Sequence, residues 1–305
     1  MRLAGPGLPV STRGIALSTD SNPRWCALDP RLGTALTIYE SVANLACVGA
    51  VAKAVVNCLN FGNPEHPEVM WQLSEAIDGM ADACGALTLP VIGGNVSLYN
   101  ESGGSDIDPT PVVGLLGVVE HLVAPPPGWN WTSGDAVVLL GVRRAVGERS
   151  FPLGGSRWAT RRGRRGGRLS EIEVSTLRAT LDFVTEEVAV ICGGSVSDVT
   201  AVHDVSGGGF AAALAEMVAV TRVGAEISEL DDFAELFSEF PGRFVVATSD
   251  VDAFSSRAAA AGVPMVRLGT CGGERLVVGS MVDLSVEEIA ATRRGALEAS
   301  LAALN

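Results

Sequence analysis

Short apolar runs that read as strands alternate along the chain with segments whose apolar residues recur every three or four positions, the spacing of one helix face. The first run, Gly14 to Thr19, ends in the polar turn Asp20-Ser21-Asn22-Pro23. Leu32 to Ala50 follows as a helix, with Ala35, Ile38, Val42, Leu45 and Ala46 on one face. Val55 to Asn60 predicts a strand stopped by Asn60-Phe61-Gly62-Asn63-Pro64, a strong loop signal. The next helix opens with Pro67 in its first turn, where a missing N–H does no harm. Its expected core face is Met70, Leu73, Ile77, Met80 and Cys84. Leu89 to Ile92 predicts a strand running into a loop at Gly93-Gly94-Asn95. Val112 to Glu120, almost unbroken apolar residues, predicts a strand buried on both faces.

Three consecutive prolines, Pro125 to Pro127, cannot continue a sheet or a helix, and the linker and domain boundary fall there. The expected division is an extension at 1–13, a first domain at 14–122, a linker at 123–134 and a second domain at 135–305. The second domain opens on a strand, Asp135 to Gly141, followed by an arginine-rich stretch. A long helix then starts at a capping box, Ser170 with Glu173, and runs to about Cys192. Strand Thr200 to Val205 leads through a glycine turn into the helix Phe210 to Val220. Further strands fall at Gly224 to Ile227, Arg243 to Thr248, Met265 to Gly269 and Leu276 to Val278. A last helix opens on a second capping box, Ser285 with Glu288, and ends near Leu304. Interleaved strands and helices in both halves give an α/β domain followed by an α+β domain.

Length and composition fit this picture. The chain has 305 residues, enough for about two domains with a core each. It has no apolar run of the ~18 to 20 residues that cross a bilayer, and its N-terminus lacks the apolar core of a secretory signal. Six cysteines are scattered without a C-x-x-C pair, which argues for a reducing cytoplasm and against a disulfide framework or a structural zinc site. The formal net charge of −13 disfavours general nucleic-acid binding. Nine arginines between Arg143 and Arg168 stand apart from that balance. Such a block reads as a mobile solvated loop, as a contact for phosphates or a partner subunit, or as a nucleic-acid arm. Only Phe151 and Trp158 in it could stack on bases.

Three glycine-bearing polar loops follow predicted strands, where backbone N–H groups and oxygen ligands can approach a phosphate. They are Cys58 to Pro64, Gly93 to Glu101, and His203-Asp204-Val205-Ser206-Gly207-Gly208-Gly209. The third opens a helix whose N-terminal dipole favours an anion, which makes His203, Asp204, Ser206, Gly207 and Gly208 a candidate phosphate loop. Each loop has a plainer reading. Asn60 and Asn63 suit a turn, Asp204 and Ser206 suit a helix cap, and Gly93-Gly94 suits a bulge. A P-loop is excluded, since the chain has a single lysine, Lys53, outside any such motif.

The same loops resemble the phosphoribosylformylglycinamidine synthase family, in its C-terminal half. The resemblance lies in Gly14-Ile-Ala-Leu-Ser-Thr-Asp-Ser-Asn-Pro-Arg24, in Asn57-Cys-Leu-Asn-Phe-Gly-Asn-Pro-Glu65, and in Gly94-Asn-Val-Ser-Leu-Tyr-Asn-Glu-Ser102 followed by Ile107-Asp-Pro-Thr-Pro-Val-Val113. It continues through His203-Asp-Val-Ser-Gly-Gly-Gly-Phe210 and Phe237-Ser-Glu-Phe-Pro-Gly-Arg243. The implied fold is the two-domain architecture of aminoimidazole ribonucleotide synthetase, with a first domain whose sheet closes against a partner's sheet. The implied reaction joins ammonia, released from glutamine, to formylglycinamide ribonucleotide at the expense of ATP and Mg2+. By resemblance, Asn57 and Gly94 contact ATP, Asn95 binds magnesium and Ser97 contacts the ribonucleotide. Asn57 stands where aspartate is usual, and Gly207 where an acidic residue is frequent. Nothing here matches the family's first half with its catalytic histidine. The implied partners are therefore that N-terminal half and a glutaminase subunit, or a second copy of the chain forming a homodimer. The alternatives are a non-catalytic scaffold half that binds a structural nucleotide, or another ATP-using member of the same superfamily.

Overall fold

The computed structural model describes residues 1–3, 5, 7, 11–143 and 151–302. The first sheet orders its strands β1 (Gly14–Ser21), β6 (Thr110–Val119), β2 (Val51–Asn60) and β3 (Val91–Ser97). The β1–β6 and β6–β2 pairs are antiparallel and β2–β3 is parallel. Helices α2 (Pro30–Ala46) and α3 (Pro67–Leu87) supply the cover of one face. The Asp29 side chain accepts the Leu32 amide and caps α2, and Pro30 occupies its first position. A short turn of helix, α1 (Pro23–Cys26), precedes it, and a two-stranded hairpin, β4 (Glu101–Ser102) and β5 (Ser105–Asp106), lies between β3 and β6.

Two expectations for this domain change. Leu73, Met80 and Cys84 are buried as expected, but Met70 and Ile77 are about half exposed, and Val69, Ala76 and Ala83 take the remaining buried places. Strand β6 alternates buried and half-buried positions instead of burying both sides. The sheet face away from the helices therefore stays open among the described residues. Leu17 is 74% and Val56 44% exposed on it, and the β3 edge shows Ile92 at 65%.

The second sheet runs β13 (Val282–Ser285), β12 (Arg275–Val278), β9 (Ala225–Ile227), β11 (Met265–Cys271), β7 (Ala136–Leu140), β10 (Phe244–Thr248) and β8 (Val199–Asp204). Its central strands β7 and β10 are buried throughout. One face packs Val137, Leu139, Val245 and Ala247 with α6 (Gly209–Thr221) and the start of α9 (Val286–Ala302). The other packs Val138, Leu140, Phe244 and Val246 with α5 (Val174–Cys192) and α8 (Val251–Ala260), in an apolar core continuous with that of the first domain. The cap of α5 is Glu173 itself, whose carboxylate accepts the Ser175 and Thr176 amides, rather than a box with Ser170. The second capping box forms: Ser285 N donates to Glu288, and Glu288 N donates to Ser285 Oγ at 3.2 Å.

The linker is docked. Trp131 is buried with its Nε1 donating to Val223 O at 3.1 Å, and Trp129 stacks on His203 with 4.5 Å between rings. The later part of the arginine stretch is held too. Ser156 caps α4 (Arg157–Arg161), Trp158 meets Phe233 edge-on at 5.4 Å, and Arg165 pairs with Asp108 of the first domain. Arg144 and Arg149 lie outside the described residues. A further short helix, α7 (Phe233–Phe237), carries Phe233.

Candidate functional site

Gly93-Gly94-Asn95 is part of a strand and not a loop, and the strand is irregular just before Gly93, where the register skips Ile92. Parallel pairing of β3 with β2 sets Gly94 beside Asn57, Asn95 beside Cys58 and Ser97 beside Asn60. Alternation then sorts these residues by face. Asn57 turns toward the helices, where its Nδ2 donates to Met80 Sδ at 3.3 Å. A Cβ at Gly94 would collide with the Asn57 side chain, so only glycine fits there. Asn95 lies on the open face, exposed, with Nδ2 3.8 Å from Cys58 Sγ. Its amide oxygen accepts no hydrogen bond among the described residues. Ser97 shares that face, and its Oγ lies 3.1 Å from Asn100 Nδ2. The four residues thus collect at one edge of the sheet, at the C-terminal ends of two parallel strands.

Polar residues of the two neighbouring candidate loops, with His66 and Asp106, to which the sequence reading gave no role, hold this edge in shape. Asn100 Nδ2 donates to Phe61 O (2.9 Å) and Ser97 O (3.0 Å), and Asn60 Nδ2 bridges to Thr110 O (3.1 Å). Asp106 accepts the Asn63 amide at 2.6 Å and meets His66 Nδ1 at 2.7 Å. The Asn63 backbone amide, followed by the His66 ring, holds the Asp106 carboxyl below its usual range, and the Asp106 contact raises His66.

The His203 loop belongs to a different place. No hydrogen bond or ion pair among the described residues joins it to Asn57, Gly94, Asn95 or Ser97. His203 and Asp204 are buried at the end of β8. His203 Nε2 lies 3.1 Å from Glu216, and Nδ1 lies 3.3 Å from Asp204 without hydrogen-bond alignment. Burial alone would lower the imidazole pKa, yet Asp204 and Glu216 outweigh it and raise it to about 9. The Gly208 amide, at the N-terminus of α6, donates to Glu239 at 2.8 Å, and the Arg157 amide donates to the same carboxylate oxygen at 2.6 Å. Glu239 therefore occupies the position that a bound anion would take at this helix start. The Arg157 guanidinium lies against Gly207.

Asp20 and Glu40 of the first domain face the same junction. Burial, with the charges of Asp20, Asp204 and Glu239 added, pushes the Glu40 carboxyl up to about 8, and Arg157 opposes the shift. Burial also raises Asp20, whose Oδ1 accepts from Asn44 at 3.1 Å. Among the described residues no three His, Cys, Asp or Glu side chains come close enough to hold a metal. The fit to magnesium at the β2–β3 edge is thus that of a single amide oxygen, Asn95 Oδ1. Magnesium commonly takes few protein ligands and fills its shell with phosphate oxygens and water.

A sheet-and-helix domain with strand-end polar residues, followed by a mixed-sheet domain sharing its core, defines the class. The chain belongs to the AIR synthase related protein family: the model of its N-terminal domain matches residues 8–119 and that of its C-terminal domain residues 132–280. It is similar to "Phosphoribosylformylglycinamidine synthase subunit PurL" of Thermobifida fusca (strain YX), 43% identical over 299 residues, covering 96% of this chain and 37% of the relative. The Thermomicrobium roseum subunit of the same name is 42% identical over 286 residues, covering 90% of this chain and 37% of that one. The chain thus spans little more than a third of these relatives. Among solved structures, PurL of T. maritima complexed with FGAR superposes with a TM-score of 0.69 at 17% identity, covering 91% of this chain and 46% of that one. The ATP complex of that protein gives 0.65 at 17% identity, over 91% and 44%. The hydrogenase maturation protein HypE gives 0.59 at 16%, over 88% and 83%.

Proposed function

We propose that this chain supplies the C-terminal half of a phosphoribosylformylglycinamidine synthase, an ATP-dependent carbon–nitrogen ligase of cytoplasmic purine biosynthesis. The observation that carries the reading is the gathering of Asn57, Gly94, Asn95 and Ser97 on two adjacent strands. Those are the positions that the resemblance assigns to nucleotide, metal and ribonucleotide, in a chain 43% identical to such a subunit. Gly94 makes room for the Asn57 side chain packed against it and, on the edge strand β3, offers its backbone to the nucleotide. Asn95 offers its free amide oxygen to a magnesium ion that neutralises phosphate charge. Ser97 offers a hydroxyl to the ribonucleotide, held in place by Asn100. The open face beside these residues is where the sheet of an N-terminal half would seat, with a glutaminase subunit supplying ammonia to the assembly. Substitution of Asn95 tests the metal role. Asn95→Ala should weaken ATP binding about tenfold in magnesium, by roughly the worth of one hydrogen bond to a charged group, and change it little in EDTA. Calorimetric titration reads both. Equal affinity in magnesium for parent and variant would remove Asn95 from the site.

A further inference from the structure

Asp106 lies outside β2 and β3, and both of its side-chain oxygens bond to the β2–α3 loop. We propose that Asp106 is a positioning residue that clamps the β2–α3 loop to the β4–β5 hairpin, with His66 as its second anchor, and so fixes Ser97 for its ligand. The inference deepens the reading above and rests on it for the identity of that ligand.

Asp106 ends β5, and its two oxygens reach different parts of the other loop: Oδ1 the Asn63 amide, Oδ2 the His66 ring. The carboxylate fills the space where a Cβ at Gly62 would lie, so the loop closes onto it at a glycine. From there the contact runs through the backbone. Tyr99 N donates to Gly62 O at 2.8 Å, and Asn100 N donates to Phe61 O at 3.2 Å. Asn100 in turn holds Ser97, and Ile107 N returns to Asn100 O at 3.2 Å, closing the ring beside Asp106. Tyr99 sits at φ 58°, a left-handed conformation that is unfavourable for a non-glycine residue. That strained corner persists only if its surroundings hold it, and the clamp is what holds both sides.

His66 makes the clamp responsive to pH. The charged groups facing it are Asp106, Glu65 and Glu68, all acidic, and each favours the imidazolium. Below the raised pKa of His66 the ion pair is complete. As pH rises through that value the ring loses its charge and the Asp106 Oδ2 anchor weakens, while the Asn63 bond remains.

Hydrogen exchange of the full chain, followed residue by residue at pH 6 and pH 8.5 and corrected for intrinsic rates, tests the clamp without a ligand. Asp106→Ala should speed exchange of the Asn63, Tyr99 and Asn100 amides about tenfold, as expected for loss of a charge-assisted hydrogen bond. Asp106→Asn keeps an acceptor for Asn63 and should speed it two- to threefold at most, which separates loss of the clamp from misfolding. Parent protection at Tyr99 should fall between the two pH values, and His66→Gln should abolish that difference. Titration with magnesium ATP and, separately, with formylglycinamide ribonucleotide reads the consequence: Asp106→Ala should weaken the ribonucleotide more than the nucleotide. Unchanged exchange at Tyr99 and Asn100 in Asp106→Ala would overturn the proposal, as would ribonucleotide binding equal to the parent's. If the parent bound neither ligand, the functional reading would fail and the exchange data would still decide the clamp.

Discussion

Arg243→Ala is expected to cost the fold about 3 to 5 kcal/mol, the range for opening a large cavity and taking the nearby cation from buried Glu235 and Glu239. Arg243 is wholly buried between Phe240, whose ring centre is 3.7 Å from the guanidinium carbon, and Phe210 at 4.9 Å. Its Nη2 donates to Ser238 O at 2.7 Å, while Nε and Nη1 have no hydrogen-bond partner. Burial drags its pKa down to about 9, opposed by the charges of Glu235 and Glu239. The plane between two rings and the bond to Ser238 fix the 238–242 turn, and that turn carries Glu239 to the start of α6. Lysine keeps the charge but not the plane, so Arg243→Lys should recover little of the loss. Urea unfolding of the three chains measures this. A cost under about 1 kcal/mol for alanine would mean that the turn is held by something else.

Alkaline pH should loosen the junction between the domains. Glu40 binds its proton more tightly in the folded chain, up to about 8 against 4.5 for the free group, and His203 does so up to about 9 against 6.5. Both shifts are upward, so the folded state holds protons that the unfolded state has released, and stability falls as pH rises. Glu40 contributes across pH 4.5 to 8 and His203 across 6.5 to 9. The groups facing Glu40 are Asp20 at the end of β1, Asp204 at the end of β8, Glu239 in the 238–242 turn and Arg157 in α4, so the acids outnumber the base. The summed effect between pH 6 and pH 9 is of the order of a few kcal/mol. Glu40→Gln, which carries no charge at any pH, should melt at a higher temperature than the parent at pH 8. His203's share of the slope should remain in that variant. A parent melting temperature that rises from pH 6 to pH 9 would contradict the argument.

Much of this was legible in the residues, for reasons that differ by element. The strand–helix alternation, both domains and the Ser285–Glu288 box follow from local pattern, and local pattern is what they depend on. On α3 only Met70 and Ile77 of the five expected core residues are displaced, because Val69, Ala76 and Ala83 form a second apolar stripe beside them. Where α3 meets α2, Gly79 lies against the Arg31 backbone, and Ala76 and Ala83 take the buried places beside Leu73 and Met80. Gly93-Gly94 read as a loop by propensity, but pairing with β2 overrides propensity and keeps them extended. The four site residues came from the resemblance, and the strand register explains why those residues share an edge. Glu239 gave no signal as the partner of the Gly208 amide, since 31 positions separate them. The same holds for Asp106, 40 residues from His66, and for Arg165, 57 from Asp108. Long-range polar pairs carry no period, so a single sequence cannot announce them.

Under the proposed function, this chain supplies part of a synthase site that an N-terminal half completes. The most direct measurement is formation of formylglycinamidine ribonucleotide from formylglycinamide ribonucleotide, ammonia and magnesium ATP, by this chain alone, by a separate N-terminal half alone, and by the two mixed. Product should appear only in the mixture, and Asn95→Ala should abolish most of it without preventing the halves from associating. Turnover by this chain alone, or a stable mixed complex that makes no product, would contradict the account.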